Sequence, residues 1–496
     1  MKTLKQLLDT IKFNYSIIGD RNIEIHGIKV DSRAVNQGDL FICLKGYTVD
    51  GHRFVDQAVS NGAVAIVAEE EISADVPVIL VADTNRVLSY LANVFFDFPT
   101  NDIHLIGVTG TNGKTSITYL LDTIFTYAQK KTALIGTIQM KIGDHVYPTA
   151  NTTPEPSYLF SSFKKMVDQQ IDHCMMEVSS HALELGRVNG CDFDLAIFTN
   201  LSQDHLDFHG SIEDYVKAKQ RLFYQLGNSI NQAKPKYAII NHDDQYANDF
   251  IYATSQPVIT YGLTKEADVY ADDIVLSSTG STFSMHALGD TVKIKTPLMG
   301  QFNIYNILAA ATAASLSGVE LNTIKESIEQ ITGVRGRFEP VKGNQPFGVI
   351  IDYAHTPDSL ENVLTTIKSF VEGKIYLVVG CGGDRDRTKR PLMAAIGETY
   401  ADYMILTSDN PRSENPMQII VDMETGLKKA NYKIELDREQ AIIDVITMAE
   451  VGDVVLIAGK GHETYQIIAD QTIDFDDYQI ASQALNKRYN ASEEGR

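Results

Sequence analysis

Residues 107–121 read GVTGTNGKTSITYLL, and their middle sets a small-residue loop, Gly110, Thr111, Asn112 and Gly113, directly before Lys114 and Thr115. The apolar run over 104–109 predicts a strand entering the loop, and the spacing over 116–127 predicts a helix leaving it. Such a turn presents backbone N–H groups at a helix opening, where aligned peptide dipoles favour negative charge, so phosphate is the natural occupant. Lys114 can reach outer phosphates as a point charge, and the Thr115 hydroxyl can ligate Mg2+. The full phosphate-loop pattern opens on glycine where this chain has Val108, and the plainer alternative is a tight strand-to-helix turn with an exposed lysine.

Further candidates sit at the ends of other apolar runs. Glu177 closes HCMMEVS and is followed by Ser179, Ser180 and His181; Thr199 and Asn200 close the next run and lead to Asp204, His205, Asp207 and His209. With Thr115, Glu177 and His205 supply hard ligands suited to Mg2+, histidine being the less usual one. A hydrogen-bonded loop histidine is an equal reading of His205 alone. In DYVKAKQRLF, Tyr215, Ala218 and Leu222 form a helical stripe with Lys219 adjoining it, where a lysine can also snorkel to solvent.

Toward the C-terminus four polar groups each follow a strand-like run, at 352–355 (DYAH), 382–386 (GGDRD), 409–412 (DNPR) and 459–463 (GKGHE). In an open parallel sheet all four lie at the carboxyl edge, where ligands bind. Helix capping accounts for Asp, Asn and Pro in such places. It does not account for the arginines or for the Gly-Lys-Gly-His-Glu run.

The elements that must carry these residues divide the chain. Its 496 residues exceed what one core holds, 44% are apolar, and the net charge is −21. That acidity disfavours nucleic acid and anionic membrane as partners while leaving room for a local phosphate pocket. Cys43, Cys174, Cys191 and Cys381 are too scattered for a ligand set and read as reduced thiols, mostly buried. No apolar run reaches membrane-spanning length, and the N-terminal MKTLKQLLDTIKF reads as a surface helix and not a signal peptide, so a cytoplasmic protein without stable membrane insertion is expected. Alternating strand and helix patterns, with the break at Pro99 and another near Gly333, predict domains at 1–98, 99–332 and 333–496. Polar-apolar alternation over 269–297, turning at Gly280 and Gly289, predicts a small antiparallel addition.

The chain resembles the Mur ligases, ATP-dependent amide-forming enzymes of bacterial cell-wall precursor synthesis. The resemblance rests on GTNGKT, the Glu177 strand end, DHLDFHG, YVKAKQRLF, LMGQFNIYNILAA, GRFE at 336–339, DYAHTPDSL and the C-terminal loops, and spans essentially the whole chain. DSR at 31–33, NTTPE at 151–155, GCGGDRD, DNPR and GKGHE make it similar to the branch that extends UDP-N-acetylmuramoyl-L-alanyl-D-glutamate. It implies a three-domain α/β fold: an α/β N-terminal domain for the uridine nucleotide, a P-loop-type central domain with a mostly parallel sheet, and a Rossmann-like C-terminal domain. It implies that Ser32, with Asp31 and Arg33 beside it, contacts the uridine substrate, and that Thr152, Thr153, Ser179 and Arg187 hold its sugar, phosphate or peptide portion. Asn303, Asn306 and Arg337 match the adenine and phosphate side of the ATP site, and Asp352 and His355 the ribose side. Lys219 matches a lysine carbamylated by CO2, an anionic group for a magnesium-rich pocket, while Lys114 stays cationic. The implied reaction phosphorylates the D-glutamyl carboxylate and then joins it to an amine, with His205 or His209 available to take a proton.

The family separates meso-diaminopimelate from L-lysine largely at DNPR. Arg412 offers a bidentate fork for the distal carboxylate that only meso-diaminopimelate carries, Arg385 a second cation, and Glu463 and Asp409 can accept the ammonium beside it. Asn410, Pro411 and Gly459 complete that expected subsite. Meso-2,6-diaminopimelate is therefore the expected amine and the L-lysine-adding enzyme the nearest alternative. A folate-polyglutamate-type ligase shares the ATP chemistry but lacks DNPR, and a P-loop regulatory switch would need an N-K-x-D sequence that the chain lacks after a suitable strand. A monomer is expected.

Overall fold

The computed structural model describes the whole chain apart from residues 1, 10–14, 47–48, 150, 203, 229–234, 278, 288, 332 and 490–496, and only the backbone of Leu206 and Asp207. The chain forms two compact units, one of Met1–Gly262, Glu266–Asp268 and Thr312–Val319, the other of Leu263–Lys265, Val269–Ala311 and Glu320–Arg496.

The first unit contains two larger sheets. The N-terminal sheet runs Ser16–Ile18, Val78–Leu80, Ala65–Ala68, Asp39–Ile42, Gly27–Lys29, parallel except at the Ser16–Ile18 edge. Its middle strands are apolar without interruption because both faces are covered: Leu40, Ile42, Ala65 and Val67 join one core, while Phe41, Ile66 and Ala68 join another. The start of the chain forms the expected surface helix, but a short one that leaves Lys5 and Gln6 exposed. Thr3 and Gln6 make a capping box for a short helix, Leu4–Leu8, whose Leu4, Leu7 and Leu8 are buried in the core, and residues 10–13 of that expected helix lie outside the described residues.

The second sheet runs His145–Tyr147, Met140–Ile142, Thr132–Ile135, His173–Glu177, His104–Thr109, Leu195–Phe198, Tyr237–Asn241, Val258–Gly262 within this unit. It is parallel from Thr132–Ile135 onward, with an antiparallel hairpin at the other edge. His104–Thr109 lies between His173–Glu177 and Leu195–Phe198, and the register sets Glu177 opposite Val108 and Phe198 opposite Thr109. Glu177 therefore comes level with the start of the glycine loop.

In the second unit Val269–Ser277, Gly280–Ala287 and Asp290–Thr296 form the expected antiparallel meander. Gly280 has φ 143°, and a Cβ there would meet the Thr296 carbonyl at 2.2 Å, so this turn requires glycine. A six-stranded sheet runs Glu339–Pro340, Gly348–Asp352, Val454–Ala458, Ile375–Val379, Tyr403–Leu406, Tyr432–Ile434, and all but the first strand are parallel. Helices Pro357–Lys368, Lys389–Tyr400 and Pro416–Glu424 supply one core and Arg438–Met448 and Asp477–Tyr489 the other. The four polar loops of the C-terminal third therefore emerge from one sheet edge. Among the described residues no helix is long and apolar enough to cross a membrane, and all four cysteines are buried and free.

Candidate active site

The helix Lys114–Tyr127 opens on Gly113, which lies at φ 86° and provides no side-chain cap, so the helix opening is built from backbone alone. Gly110, at φ 145°, has no room for a Cβ, which would fall 1.8 Å from Thr199 Oγ1. The loop is braced from the next strand end. Thr199 Oγ1 donates to the Asn112 carbonyl at 2.7 Å, Asn112 N donates to Asn200 Oδ1 at 3.0 Å, and Thr111 N donates to the Asn200 carbonyl at 2.8 Å. Lys114 Nζ folds back to donate to the carbonyls of Gly110 and Thr111 at 2.9 and 2.8 Å.

Lys219 lies on the helix Ile212–Gln225, begun by the Ser211 cap, and is 1% exposed. It does not snorkel. Its Nζ donates to the Gly110 carbonyl at 2.7 Å and sits 4.4 Å from the centre of the Tyr215 ring. Burial first, and then the Lys114 charge, press its pKa well below the ordinary lysine value, with Asp204 opposing weakly. Tyr215 OH lies 3.2 Å from Thr111 Oγ1 and is buried enough for its pKa to rise to about 12.

Glu177 is fully buried, and one of its oxygens accepts from Thr115 Oγ1 at 2.9 Å. A hydroxyl and a carboxylate meeting beside a phosphate loop are an oxygen donor set of the kind Mg2+ takes. Thr137 completes the surroundings of Glu177 and was not singled out by the sequence. Thr153 Oγ1 donates to the Glu177 carbonyl at 2.8 Å and accepts from Ser179 N at 3.1 Å. Arg187 NH1 donates to the Thr153 carbonyl at 3.0 Å, and its other end pairs with Glu155 at 2.5 Å. Burial outweighs that pairing and raises the Glu155 pKa. Thr152, Thr153, Ser179 and Arg187 thus gather around the Glu177 strand end.

His205 takes φ 52°, a left-handed conformation for a bulky residue, and keeps a half-exposed ring 3.4 Å from Asp204. Its ring lies 4.9 Å from that of His181. His209 Nε2 pairs with Ser180 Oγ at 2.9 Å. In the N-terminal part, Ser32 Oγ donates to Gln57 Oε1 at 2.7 Å, whereas Arg33 and Asp31 pair with one another on the surface at 2.8 Å. Among the described residues, the one group of three acidic, histidine or cysteine side chains with converging ligand atoms is Asp50, His52 and Glu70. His52 Nε2 accepts from Glu69 N at 3.0 Å, so its Nδ1 carries the proton donated to Asp50 at 2.6 Å, and neither nitrogen is open to a metal.

In the second unit Asn303 and Asn306, buried on the helix Gln301–Leu316, bond to each other at 3.3 Å, and Asn303 Nδ2 donates to the Met299 carbonyl at 2.9 Å. Phe302 packs on Phe338, which neighbours Arg337. Arg337 stands 5.2 Å over the Tyr353 ring, and among the described residues its buried Nε has no hydrogen-bond partner. Asp352 accepts from Phe338 N at 2.7 Å and Ala354 N at 2.8 Å, while burial raises its pKa against the pull of Arg337. His355 Nδ1 lies 2.9 Å from the Tyr353 carbonyl, and burial lowers its pKa. Two glycines lock these loops together: a Cβ on Gly336 would lie 2.1 Å from His462 N, and one on Gly461 2.7 Å from Tyr353 Cβ.

Arg412 also takes a left-handed conformation, φ 51°, and NH1 donates to the Gly383 carbonyl at 2.8 Å. Its backbone is held by Ile467 O at 3.1 Å and Ala469 N at 2.7 Å. Asn410 Nδ2 donates to Glu463 Oε2 at 2.8 Å. Lys460, fully buried, donates to Asn410 Oδ1 and Glu463 Oε2, both at 3.1 Å. Gly459 faces Asp409, whose Oδ2 would be 2.8 Å from a Cβ there, and Pro411 O approaches Gly383 so closely that a Cβ would stand 1.9 Å away. Arg385 is the exposed member, donating to the Asp384 carbonyl at 3.1 Å. Behind the loop, buried Arg390 forks onto Glu414 at 2.9 and 2.7 Å, and Glu414 accepts from Asp384 N at 2.6 Å.

The chain matches the Mur ligase family, catalytic domain over 24–96, the Mur ligase middle domain over 108–314 and the Mur ligase, glutamate ligase domain over 336–461. A Bacillus velezensis protein named UDP-N-acetylmuramoyl-L-alanyl-D-glutamate--2,6-diaminopimelate ligase is 54% identical over 94% of this chain and 96% of its own length. A Halalkalibacterium halodurans protein of the same name is 52% identical over 99% of this chain and 100% of its own. A solved structure of a ligase of that name is 34% identical, with TM-score 0.73 over 98% of this chain and 99% of that one. With relatives of that identity along nearly its whole length, the chain belongs to the Mur ligase family.

Proposed function

We propose that this protein is an ATP-dependent amide ligase that adds meso-2,6-diaminopimelate to UDP-N-acetylmuramoyl-L-alanyl-D-glutamate in peptidoglycan precursor synthesis, acting as a cytoplasmic monomer. Relatives about half identical over nearly the full chain carry that activity in their names. The geometric observation behind the ligase reading is the meeting of Lys114 and Lys219 at the Gly110 carbonyl, with the Lys219 ammonium disfavoured by burial and by its neighbour. A buried amine that stays neutral can react with CO2, and we assign the resulting carbamate to Lys219.

The division of labour follows residue by residue. Residues 1–98 bind the uridine nucleotide through Ser32, residues 99–332 bind ATP, and residues 333–496 bind the amine. Gly110, Thr111, Asn112, Gly113, Lys114 and Thr115 wrap the phosphates; Asn303, Asn306, Arg337, Asp352 and His355 serve the rest of the nucleotide. Thr115, Glu177, His205 and carbamylated Lys219 would hold Mg2+, which when bound neutralises charge on the transferring phosphoryl group. Thr152, Thr153, Ser179 and Arg187 hold the sugar, phosphate or peptide portion of the uridine substrate. Its carboxylate oxygen attacks the γ-phosphorus, the bond to ADP breaks, and an acyl phosphate forms. The amine then attacks the carbonyl carbon, phosphate leaves from the tetrahedral intermediate, and a proton departs from nitrogen, with His205 or His209 available to take it. Orientation and preorganised cations supply most of the rate.

Arg412 and Arg385 meet the distal carboxylate of the amine, and Asp409, Asn410, Pro411, Gly459 and Glu463 shape the rest of its subsite. Phosphate release from ATP, measured with the uridine dipeptide and a panel of amines, tests the reading. Release dependent on both the uridine substrate and meso-diaminopimelate is expected. Preference for L-lysine would reassign the amine, and release that needs neither substrate would remove the ligase.

A further inference from the structure

Thr137 follows the strand Thr132–Ile135 and grips the Glu177 carboxylate by both oxygens, donating from its backbone N to Oε1 at 2.9 Å and from Oγ1 to Oε2 at 3.0 Å. The preceding residue must be glycine for this approach, because a Cβ on Gly136 would stand 2.3 Å from Glu177 Oε1. Thr137 Oγ1 also lies 3.0 Å from Thr152 Oγ1. A carboxylate only accepts, so the single Thr137 hydroxyl proton goes to Glu177, and Thr152 donates to Thr137. The result is one directed chain, Thr152 to Thr137 to Glu177, whose last oxygen also receives Thr115 Oγ1 at 2.9 Å.

We propose that Thr137 is a positioning residue that couples the loop over 151–155 to the carboxylate beside the phosphate loop, so that binding of the uridine substrate and of magnesium nucleotide reinforce each other. The inference rests on the assignment of those two places to substrate and to Mg2+. A ligand that orders Thr152 holds the Thr152 hydroxyl on Thr137 and, through it, Glu177 in one orientation, and a metal that orders Glu177 favours the same arrangement.

The test is calorimetry with the full chain, a non-hydrolysable ATP analogue, Mg2+ and the uridine dipeptide. Thr137→Val keeps the β-branched shape and removes only the hydroxyl; Thr137→Ser restores it. In the wild type the uridine dipeptide is expected to tighten binding of the magnesium nucleotide. In Thr137→Val that tightening is lost and the apparent Mg2+ affinity falls about tenfold or more. Thr137→Ser recovers both, while affinity for meso-diaminopimelate and the thermal midpoint stay near wild type. Wild-type coupling and Mg2+ affinity in Thr137→Val, or no coupling in the wild type, would overturn the inference. A wild type that binds neither magnesium nucleotide nor the uridine dipeptide would instead overturn the assignment on which it rests.

Discussion

Lys114 and Lys219 donate to the same acceptor, the Gly110 carbonyl, at 2.9 and 2.7 Å. Two ammonium groups around one carbonyl oppose each other, and the buried one gives way. Lys219→Ala should lower turnover about a hundredfold or more, with partial recovery on adding a small carboxylate. Steady-state kinetics with and without the additive check this; full activity of the variant would end the assigned role.

The same burial has a signature in stability. A lysine whose folded pKa lies below its unfolded value of 10.5 leaves the unfolded chain holding more protons, so stability rises with pH between those values. Without CO2, the wild type should gain stability relative to Lys219→Met as pH increases toward 10.5. Thermal midpoints across that range provide the measurement, and parallel curves for the two proteins would contradict it.

Arg412 is strained into a left-handed conformation and tied to Gly383, Ile467 and Ala469. Arg412→Ala should raise KM for meso-diaminopimelate about tenfold or more, the size expected for losing a charged hydrogen-bonding partner, with KM for ATP unchanged. Equal KM for the amine in both proteins would remove Arg412 from the amine subsite.

Lys460 is buried against Asn410 and Glu463, so its influence on the proposed amine subsite would run through them. Lys460→Met should weaken amine binding severalfold in the wild type and much less in a Glu463→Gln background. Additive effects in this double-mutant cycle would show that Lys460 does not work through Glu463.

Glu414 behind the DNPR loop has its pKa held down to about 2, chiefly by hydrogen bonds from Arg390 and then by Asp384 N–H, against burial. A carboxylate depressed from 4.5 contributes stability that is present above 4.5 and is lost as pH falls through about 2. Glu414→Gln should flatten acid unfolding between those values, as followed by circular dichroism.

Much of the fold and of the candidate site is legible in the amino-acid sequence. The glycine loop, the Glu177 strand end and the four C-terminal loops announce themselves because apolar runs end abruptly in polar residues. The antiparallel meander is legible from its alternation and from Gly280 and Gly289. Thr137 is not, since a lone threonine in IGTIQ carries no spacing signal and gains its role from the approach of Glu177 across the sheet. Nor is the docking of the short helix Leu4–Leu8, because three leucines among charged residues fit either a surface or a core. The helix Asp477–Tyr489 packs Ala481 and Leu485 into the core and is anchored as well by the buried pair of Asp477 with Arg438 at 2.7 Å, a partnership that the sequence does not signal. Burial of Lys219 likewise depends on how its helix is docked, which the stripe of neighbours leaves open.

The interlock at Gly336 and Gly461 has a mechanical consequence. Arg337 and Glu463 hang from backbones that touch with no side chain between them, so neither can drift while the other stays put. A shift of the backbone that carries one therefore has to carry the other, and the guanidinium and the carboxylate share one frame of reference.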